Sequence, residues 1–294
     1  KVNVSGLTDA DYISTENMLP NKGGITTASS LPSTIQTQAY KKDDVLVSNI
    51  RPYFKKIWFA DFDGGCSNDV LVFRAKEGTD ARFLYYVLAD DAFFDYSTAT
   101  SKGTKMPRGD KTAIMQYEVP HFDLPIQKKI AGILADIDDK IALNSNINKN
   151  LLEQALAIYK DWFCDYALSD GILPENWKIT TIDAISSLVT RGIAPKYDDS
   201  SDQIVLNQKC IRDHTIDISL SRRHLPKKIN EKWISKGDLL INSTGTGTLG
   251  RVAQVWFEAN NMTVDSHVTI VRPKDPILQS YIGFWGLSHE SEIE

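Results

Sequence analysis

The sequence predicts an α+β protein in which two similar domains are joined by one long α-helix. Two patterns predict this arrangement: a series of strand and loop residues occurs twice, and an apolar stripe with helical spacing lies between the copies. The length of 294 residues and the hydrophobic content of 42% are enough for two separate cores. We therefore expect two mixed or antiparallel sheets, each with its own helices.

The internal repeat is visible in four pairs of segments. In each pair the first segment matches the second in the order of apolar, polar and charged residues, and the spacing between copies drifts by only a few residues. The pairs are Ile13–Asn17 with Val205–Lys209, Lys42–Ser48 with Lys236–Asn242, Val72–Lys76 with Ile270–Lys274, and Phe83–Tyr86 with Tyr281–Phe284. Residues 171–203 and 97–163 have no match in the other copy. From this we expect a fragment that lacks the start of one domain and the end of the other.

Short β-branched or aromatic runs, bounded by Gly, Asp and Asn, predict the strands of each domain. They are Val45–Val47, Ile57–Ala60, Val70–Phe73, Leu239–Ile241, Val252–Trp256 and Val268–Val271. After each set comes an apolar segment that predicts a helix, Ala81–Phe94 in the first domain and Ile277–Leu287 in the second.

A long helix is predicted from Pro125, which suits a first helical turn. Its length should be about 35 to 40 residues, or roughly 55 to 60 Å, and Asn144–Asn146 should weaken its middle. The apolar stripe recurs at steps of three and four residues: Ile126, Ile130, Ile133, Ile137, Ile141, Leu151, Leu152, Ile158, Trp162 and Phe163. Such a stripe needs a partner helix; the alternative is that it packs on its own domains. The predicted domains are residues 1–124, 125–170 and 171–294.

Composition excludes several classes of protein. No apolar run reaches the length of a membrane span, and the start is not a signal peptide, so we expect a soluble, cytoplasmic protein. Three separated cysteines support neither a disulfide framework nor a zinc site. A net charge of -5 argues against a uniformly basic nucleic-acid binder, but lysines and arginines cluster locally in both copies. Solvated loop charge is the alternative interpretation of each cluster.

Sequence motifs around the helix resemble those of type I restriction-modification specificity subunits. The resemblance is carried by Gly103–Arg108, Leu124–Ile130, Asn150–Gln154, Tyr159–Phe163 and Pro174–Lys178, with Gly245–Arg251 as a glycine-containing strand turn. It implies two target-recognition domains, each reading half of a bipartite double-stranded DNA site. It also implies that methyltransferase (modification) subunits dock along the helices and that the restriction subunit joins the assembled complex.

No catalytic motif is found in the chain. An amino-methyltransferase needs an Asn/Asp-Pro-Pro-aromatic tetrapeptide, and a P-loop needs a Gly-Lys pair; neither occurs. The five histidines show no metal-ligand spacing, and no cofactor is indicated. Two alternatives remain: a coiled-coil scaffold whose modules bind protein, and a recognition fragment of a fused methyltransferase.

DNA recognition needs cations for phosphates and polar side chains for base edges. In the first copy the candidate phosphate contacts are Arg51, Lys55, Lys56, Lys102, Lys105 and Arg108, and the candidate base readers are Asn17, Ser48 and Asn49. In the second copy they are Arg212, Arg222, Arg223, Lys227, Lys228 and Arg251, with Asn207, Gln208, Ser243 and Thr244 as readers. For any single polar residue the alternative is turn or cap chemistry.

Overall fold

A computed structural model describes residues 1–225 and 229–293. The chain divides into two compact units, Lys1–Asn144 and Ser145–Glu294, so that the division falls inside the long helix. The predicted boundaries after residues 124 and 170 stay predictions. Both units combine sheets and helices, and the predicted α+β class is confirmed.

The first unit contains two small sheets. Its strands are β1 (Val2–Asn3), β2 (Tyr12–Ile13), β3 (Gln36–Tyr40), β4 (Val45–Ser48), β5 (Ile57–Phe59), β6 (Gly64–Cys66) and β7 (Val70–Phe73). One sheet has the order β1-β3-β6-β2 and the other the order β5-β4-β7. The helices are α1 (Ala81–Ala89), α2 (Asp91–Ala99) and α3 (Lys111–Ile114). The segment Ala81–Phe94 is helical as predicted, but Asp90 divides it, because this residue ends α1 and caps α2 by accepting the N–H of Ala92.

The second unit repeats this plan with additional elements. Its strands are β8 (Ser186–Arg191), β9 (Ile204–Leu206), β10 (Ile211–Arg212), β11 (Thr215–Ile216), β12 (Arg222–Arg223), β13 (Leu239–Asn242), β14 (Val252–Gln254), β15 (Met262–Val264) and β16 (Val268–Pro273). They form sheets of order β14-β13-β16-β8, β12-β9-β15 and β10-β11. The helices are the long α4 (Leu124–Tyr159), which enters from the first unit, then α5 (Ile182–Ile185), α6 (Leu278–Ser288) and α7 (Glu290–Ile293).

The strand pairing confirms the internal repeat. The central strand β4 lies between β5 and β7, and β13 lies between β14 and β16, all antiparallel. In each unit a parallel pair adjoins this sheet, β2 with β6 and β9 with β15. Successive residues of the central strand face different cores. Val45 and Leu239 face the helices, whereas Leu46 and Leu240 face the parallel pair.

The register corrects one segment of the sequence alignment. Ala39 and Trp233 are separated in sequence by the same number of residues as the matched central strands, so they are equivalent. Ala39 pairs with Gly65, and Trp233 likewise pairs with Thr263. Since Tyr12 pairs with Gly65 and Val205 pairs with Thr263, Tyr12 is the equivalent of Val205. The first matched segment must therefore shift by one residue, a slip that sequence similarity in a two-residue strand is too weak to detect.

The long helix runs unbroken over 36 residues, through the predicted weak point at Asn144–Asn146, and ends in a wider π-helical turn over Lys160–Cys164. Its two faces differ. Gln127, Ala131 and Ala135 are buried against the first unit. The predicted stripe lies on another face, where seven of its members are 44% to 62% exposed: Ile126, Ile133, Ile137, Ile141, Leu151, Ile158 and Trp162. Ile147, which the prediction missed, is also exposed on this face.

Three predicted members of the stripe do not fit it fully. Ile130 and Leu152 are half-buried. Phe163 is half-buried inside the second unit, stacked on Trp177 with ring centroids 5.4 Å apart and edge-on to Tyr281 at 5.2 Å. The prediction for Phe163 as a partner contact is wrong, because a sequence period cannot separate a ring that faces outward from its neighbour that faces its own domain.

Gln127 anchors the start of the helix to the first unit. Its buried amide accepts the N–H of Asp80 at 2.9 Å and donates to the carbonyls of Phe122 at 2.7 Å and Gly78 at 3.2 Å. Gln127→Leu keeps the volume but leaves these three backbone groups without their partner. We expect the free energy of unfolding of the first unit to fall by about 2 kcal/mol, measured by hydrogen exchange along α1. Lys128→Leu, at the exposed neighbouring position, should change it by less than about 0.5 kcal/mol.

No helix within residues 1–225 and 229–293 is both long and apolar enough to cross a membrane.

Candidate nucleic-acid interface

Most of the predicted base readers lie at one end of the central sheet of each unit. Asn49 follows β4 and Ser243 follows β13 at the same repeat position. The same backbone hydrogen bond fixes both: Asn49 N–H donates to the carbonyl of Asp69, and Ser243 N–H donates to that of His267, each at 2.8 Å. We name the residues around Asn49 and Asp69 the first strand-end cluster and those around Ser243 and His267 the second strand-end cluster.

The first strand-end cluster lines a shallow cavity of about 480 Å³. Lys102 forms an ion pair with Asp110 at 2.5 Å, and Arg108 forms one with Asp69 at 3.2 Å. Asn49 is buried, and its Oδ1 has no hydrogen-bond partner among the described residues. The cations are thus partly neutralised within the unit. Exposed ion pairs contribute only about 0 to 1 kcal/mol, so a phosphate could replace either aspartate.

Arg51 and Lys105 flank the first strand-end cluster. The backbone of Arg51 is in the left-handed region, with φ of 50°. Its N–H donates to the carbonyl of Pro107 at 2.8 Å, and this hydrogen bond stabilises the conformation. Its guanidinium carbon lies 6.0 Å from the ring centroid of Phe54. Lys105 is exposed on the loop between α2 and α3. Both remain candidate phosphate contacts.

Two predicted readers of the first unit are structural residues. Asn17 is buried, accepts the N–H of Ser14 and donates to the carbonyls of Tyr12 and Thr26, so its amide cannot reach a base edge. Ser48 is buried and donates to the carbonyl of Ile50 at 3.1 Å. Both predictions are corrected, because turn chemistry uses the same polar side chains as base recognition.

Two predicted phosphate contacts of the first unit are also engaged within it. Lys55 and Lys22 both bind Asp91, at 2.9 and 2.8 Å, and their hydrogen bonds lower the pKa of that carboxyl to about 2. Lys56 donates to the carbonyl of Thr15 at 2.6 Å, and burial lowers the pKa of its ammonium. These contacts tie loops together, so a phosphate would have to displace Asp91 from Lys55 and the Thr15 carbonyl from Lys56.

The second strand-end cluster is built from hydroxyl, imidazole and amide groups, whereas the first contains two ion pairs. Thr244 Oγ1 lies 2.6 Å from His267 Nδ1, and Ser243 is hydrogen-bonded to Thr269. The buried Oε1 of Gln208 accepts no hydrogen bond from the described residues. Burial raises the pKa of the neighbouring Asp265, against the opposing effect of the His267 N–H that it accepts. His267 and Asp69 were missed as site residues, although the repeat alignment places them opposite each other.

The backbone of the glycine turn Gly245–Gly250 lies close to the second strand-end cluster, and only glycine fits at its first position. Gly245 has φ of +109°, and a Cβ there would lie 2.5 Å from Gln208 Oε1. Arg251 donates to the carbonyl of Gly247 at 2.7 Å and closes the turn. Asn207 caps a short turn by accepting the N–H of Lys209, and it donates to the carbonyl of Leu220. A base edge would have to displace one of these two hydrogen bonds in order to reach the Asn207 amide.

The predicted basic patch of the second unit lies on β12 and the β10–β11 hairpin. Arg222 stacks on Tyr197, with its guanidinium carbon 3.5 Å from the ring centroid. Arg223 donates to the carbonyl of Ser201 at 2.6 Å, and Arg212 is exposed. Lys227 and Lys228 lie outside the described residues. Within residues 1–225 and 229–293 no group of three or more His, Cys, Asp or Glu side chains could hold a metal ion.

Comparison with known families decides what this fold is. Residues 5–153 match the family model of the type I restriction modification DNA specificity domain. The chain belongs to this family. Membership of the type I specificity family implies a role in DNA target recognition.

Individual relatives are consistent with the family. The chain is 31% identical over 194 residues to the type I restriction enzyme HindI specificity subunit of Haemophilus influenzae. The aligned region covers 60% of this chain and 42% of that protein. It is 24% identical over 195 residues to the EcoDI specificity subunit of Escherichia coli, covering 60% and 40%. The chain thus spans about two fifths of the length of these curated relatives.

A solved structure has the same fold at low sequence identity. The type I restriction-modification S subunit from M. genitalium superimposes with a TM-score of 0.56 and 15% identity, over 99% of this chain and 77% of that one. The likeness confirms the specificity-family fold for both units.

Proposed function

We propose that this chain recognises double-stranded DNA for a type I restriction-modification complex, with each unit reading its own half of a bipartite target and without catalysing a reaction. One observation carries the proposal: the two strand-end clusters share a backbone frame but present different side chains. Asn49 and Asp69 stand where Ser243 and His267 stand in the second unit. A common frame with different polar groups is what two sites need in order to read different base sequences.

Buried polar atoms without protein partners support the same proposal. Asn49 Oδ1 lies in the first strand-end cluster, and Gln208 Oε1 adjoins the second. Such atoms are uncommon in folded proteins, since leaving one unpaired costs about 1 to 3 kcal/mol. Base edges carry hydrogen-bond donors and acceptors, so we assign Asn49, Gln208, Ser243 and Thr244 as the candidate readers. Asn49 Oδ1 and Gln208 Oε1 are buried in the free chain, and reading a base requires the surrounding loops to move.

The cations around the clusters supply the sequence-independent part of binding. The proposed phosphate contacts of the first unit are Arg51, Lys102, Lys105 and Arg108, and those of the second are Arg212, Arg222, Arg223 and Arg251. The stack of Arg222 on Tyr197 holds its guanidinium in place, which lowers the entropy lost when it binds a phosphate.

The exposed stripe on α4 is the proposed docking surface for partner subunits. Its seven apolar residues run along one face of α4 and of the π-helical turn that follows it, separate from the face that packs on the first unit. We propose that a partner helix covers this stripe and that the modification subunits dock on the helices so formed, with the restriction subunit joining the assembled complex. The competing interpretation, a protein-binding scaffold, predicts no affinity for duplex DNA.

Salt dependence tests DNA binding directly. Binding to target duplex should weaken steeply with salt, because bound lysines and arginines release phosphate counterions. Arg222→Glu with Arg223→Glu should lower affinity by about tenfold or more at low salt and reduce the slope of log K against log salt by about 2. Fluorescence anisotropy across a salt series measures both quantities.

A matched control separates local contact from total charge. Lys149→Glu with Lys160→Glu changes the net charge by the same amount on exposed positions of α4 and its final turn. This control should leave affinity within about twofold of the parent chain. Equal losses in both double variants would remove β12 from the interface, and absence of any duplex binding by the parent chain would overturn the proposed function.

A further inference from the structure

The loop that follows the central strand differs in chemistry between the two units. It spans Asn49–Lys56 in the first unit and Ser243–Arg251 in the second. Equivalent backbone hydrogen bonds close both loops, from the N–H groups of Ser48 and Asn242 to the carbonyl of the last loop residue, at 3.0 and 2.9 Å. The loop of the first unit carries the adjacent rings Tyr53–Phe54, and we name it the aromatic loop. Its equivalent carries glycine, threonine and leucine at these positions and has no aromatic residue.

The two rings of the aromatic loop are exposed and lie against each other. Tyr53 is 47% and Phe54 is 37% exposed, and their ring centroids are 4.8 Å apart. Two cations accompany them: the guanidinium carbon of Arg51 and the Nζ of Lys56 lie 6.0 and 5.9 Å from the centroid of the Phe54 ring. Rings that can stack on bases, set among cations that can contact phosphates, are the usual composition of a site for unstacked nucleic acid.

The backbone under the rings is fixed by hydrogen bonds within the first unit. Phe54 N–H donates to the carbonyl of Arg51 at 2.9 Å, and Lys55 N–H donates to that of the buried Pro52 at 2.8 Å. The carbonyls of Phe54 and Lys55 accept hydrogen bonds from the backbone of Asn21–Lys22, at 2.8 Å each. The rings therefore hold their position before any ligand arrives, which reduces the entropy lost on binding.

The aromatic loop is continuous with the first strand-end cluster, since Asn49 belongs to both. Asn49 Oδ1 and Arg51 Nε are buried, and neither has a hydrogen-bond partner among the described residues. Candidate base-reading atoms and exposed rings thus lie in one short loop. Within an intact duplex each base has both faces covered by its neighbours. A ring can reach a base face only where a base step opens, and proteins that open a step kink the duplex.

We propose that Tyr53, packed on Phe54, inserts at one base step of the half-site read by the first unit and kinks the DNA there. This inference rests on the proposed DNA recognition and adds a distortion of the target to it. The loop Ser243–Arg251 supplies no ring, so the second unit opens no step from the equivalent position. The two half-sites are therefore bound with different DNA shapes.

The test measures the bend of a bound duplex. The probe is a duplex of about 20 to 30 base pairs, selected from a random pool by the parent chain and labelled at both ends for fluorescence energy transfer. The parent chain should kink it by about 20° or more. Tyr53→Ser should leave it closer to straight and bind it about fivefold or more weakly, because the stacked ring is lost. Tyr53→Phe keeps the ring and should bend the duplex like the parent chain.

A matched control removes another exposed ring. Trp256 is 55% exposed and follows the end of β14 that lies away from the second strand-end cluster. Trp256→Ser should leave both the bend and the affinity as they are in the parent chain, because this ring lies away from the proposed interface.

A single mismatch moved along the selected duplex locates the opened step. A mismatched base costs less to unstack than a paired one, so a mismatch at that step should tighten binding by the parent chain and not by Tyr53→Ser. Equal bends with the parent chain and Tyr53→Ser would overturn the inference and leave the proposed function standing. Equal losses in Tyr53→Phe and Tyr53→Ser would also overturn it, by assigning the contact to the hydroxyl. A parent chain that retains no duplex from the pool would overturn the proposed function itself, and this inference with it.

Discussion

Asp238→Ala is expected to lower the free energy of unfolding of the second unit by about 3 kcal/mol, which is the largest stability effect of a single substitution that we expect in this chain. The Asp238 side chain is 1% exposed and accepts from Arg272 Nε at 2.8 Å, from Arg272 Nη2 at 2.7 Å and from the Ser235 N–H at 2.8 Å. Its loss leaves the guanidinium of Arg272, which is 26% exposed, without its counter-charge.

The internal repeat provides a matched control for this effect. Asp44 makes the same three contacts, with Arg74 Nε and Nη2 and the N–H of Lys41, but the Arg74 side chain is 61% exposed. In Asp44→Ala the arginine returns to water, so the expected loss is only about 1 to 2 kcal/mol. Hydrogen exchange along β4 and β13 measures the two units separately. An equal loss of unfolding free energy in the two variants would mean that burial of the arginine does not decide how much the aspartate contributes to stability.

Ile133→Glu with Ile137→Glu is expected to lower affinity for a modification subunit by roughly a hundredfold or more, with little change in stability. Both side chains are more than half exposed, so the free chain tolerates the charges. In a packed helix interface each charge would be desolvated without a partner, and interface positions of this kind cost about 2 kcal/mol or more each. Co-purification and titration calorimetry with the modification subunit measure the loss.

The control for helix docking adds the same charges to the other side of α4. Ala142→Glu with Asn146→Glu lies away from the stripe, and both positions are exposed. This variant should assemble like the parent chain. Assembly that survives the Ile133 and Ile137 substitutions would show that the stripe is not the docking surface.

Local pattern was sufficient to predict the class of fold and the repeat. Short runs such as Val45–Val47 and Val268–Val271 are strands because β-branched residues between turn formers suit a pleated, buried ribbon. The three- and four-residue apolar period from Ile126 onward likewise predicted the long helix, which has 36 residues. Both signals depend on neighbours along the chain, which a sequence contains in full.

Only the tertiary structure decided which polar residues are available to a ligand. Asn17 and Asn49 have the same chemistry, yet the Asn17 amide makes four hydrogen bonds within its loop, whereas Asn49 leaves its Oδ1 unpaired at the end of the central sheet. Likewise, Phe163 packs on Trp177 while the adjacent Trp162 is exposed. Residue type does not decide which of these side chains finds a partner, because the partner is fixed by the way the loops and strands pack. Such facts depend on strand register and packing, which residue patterns do not specify.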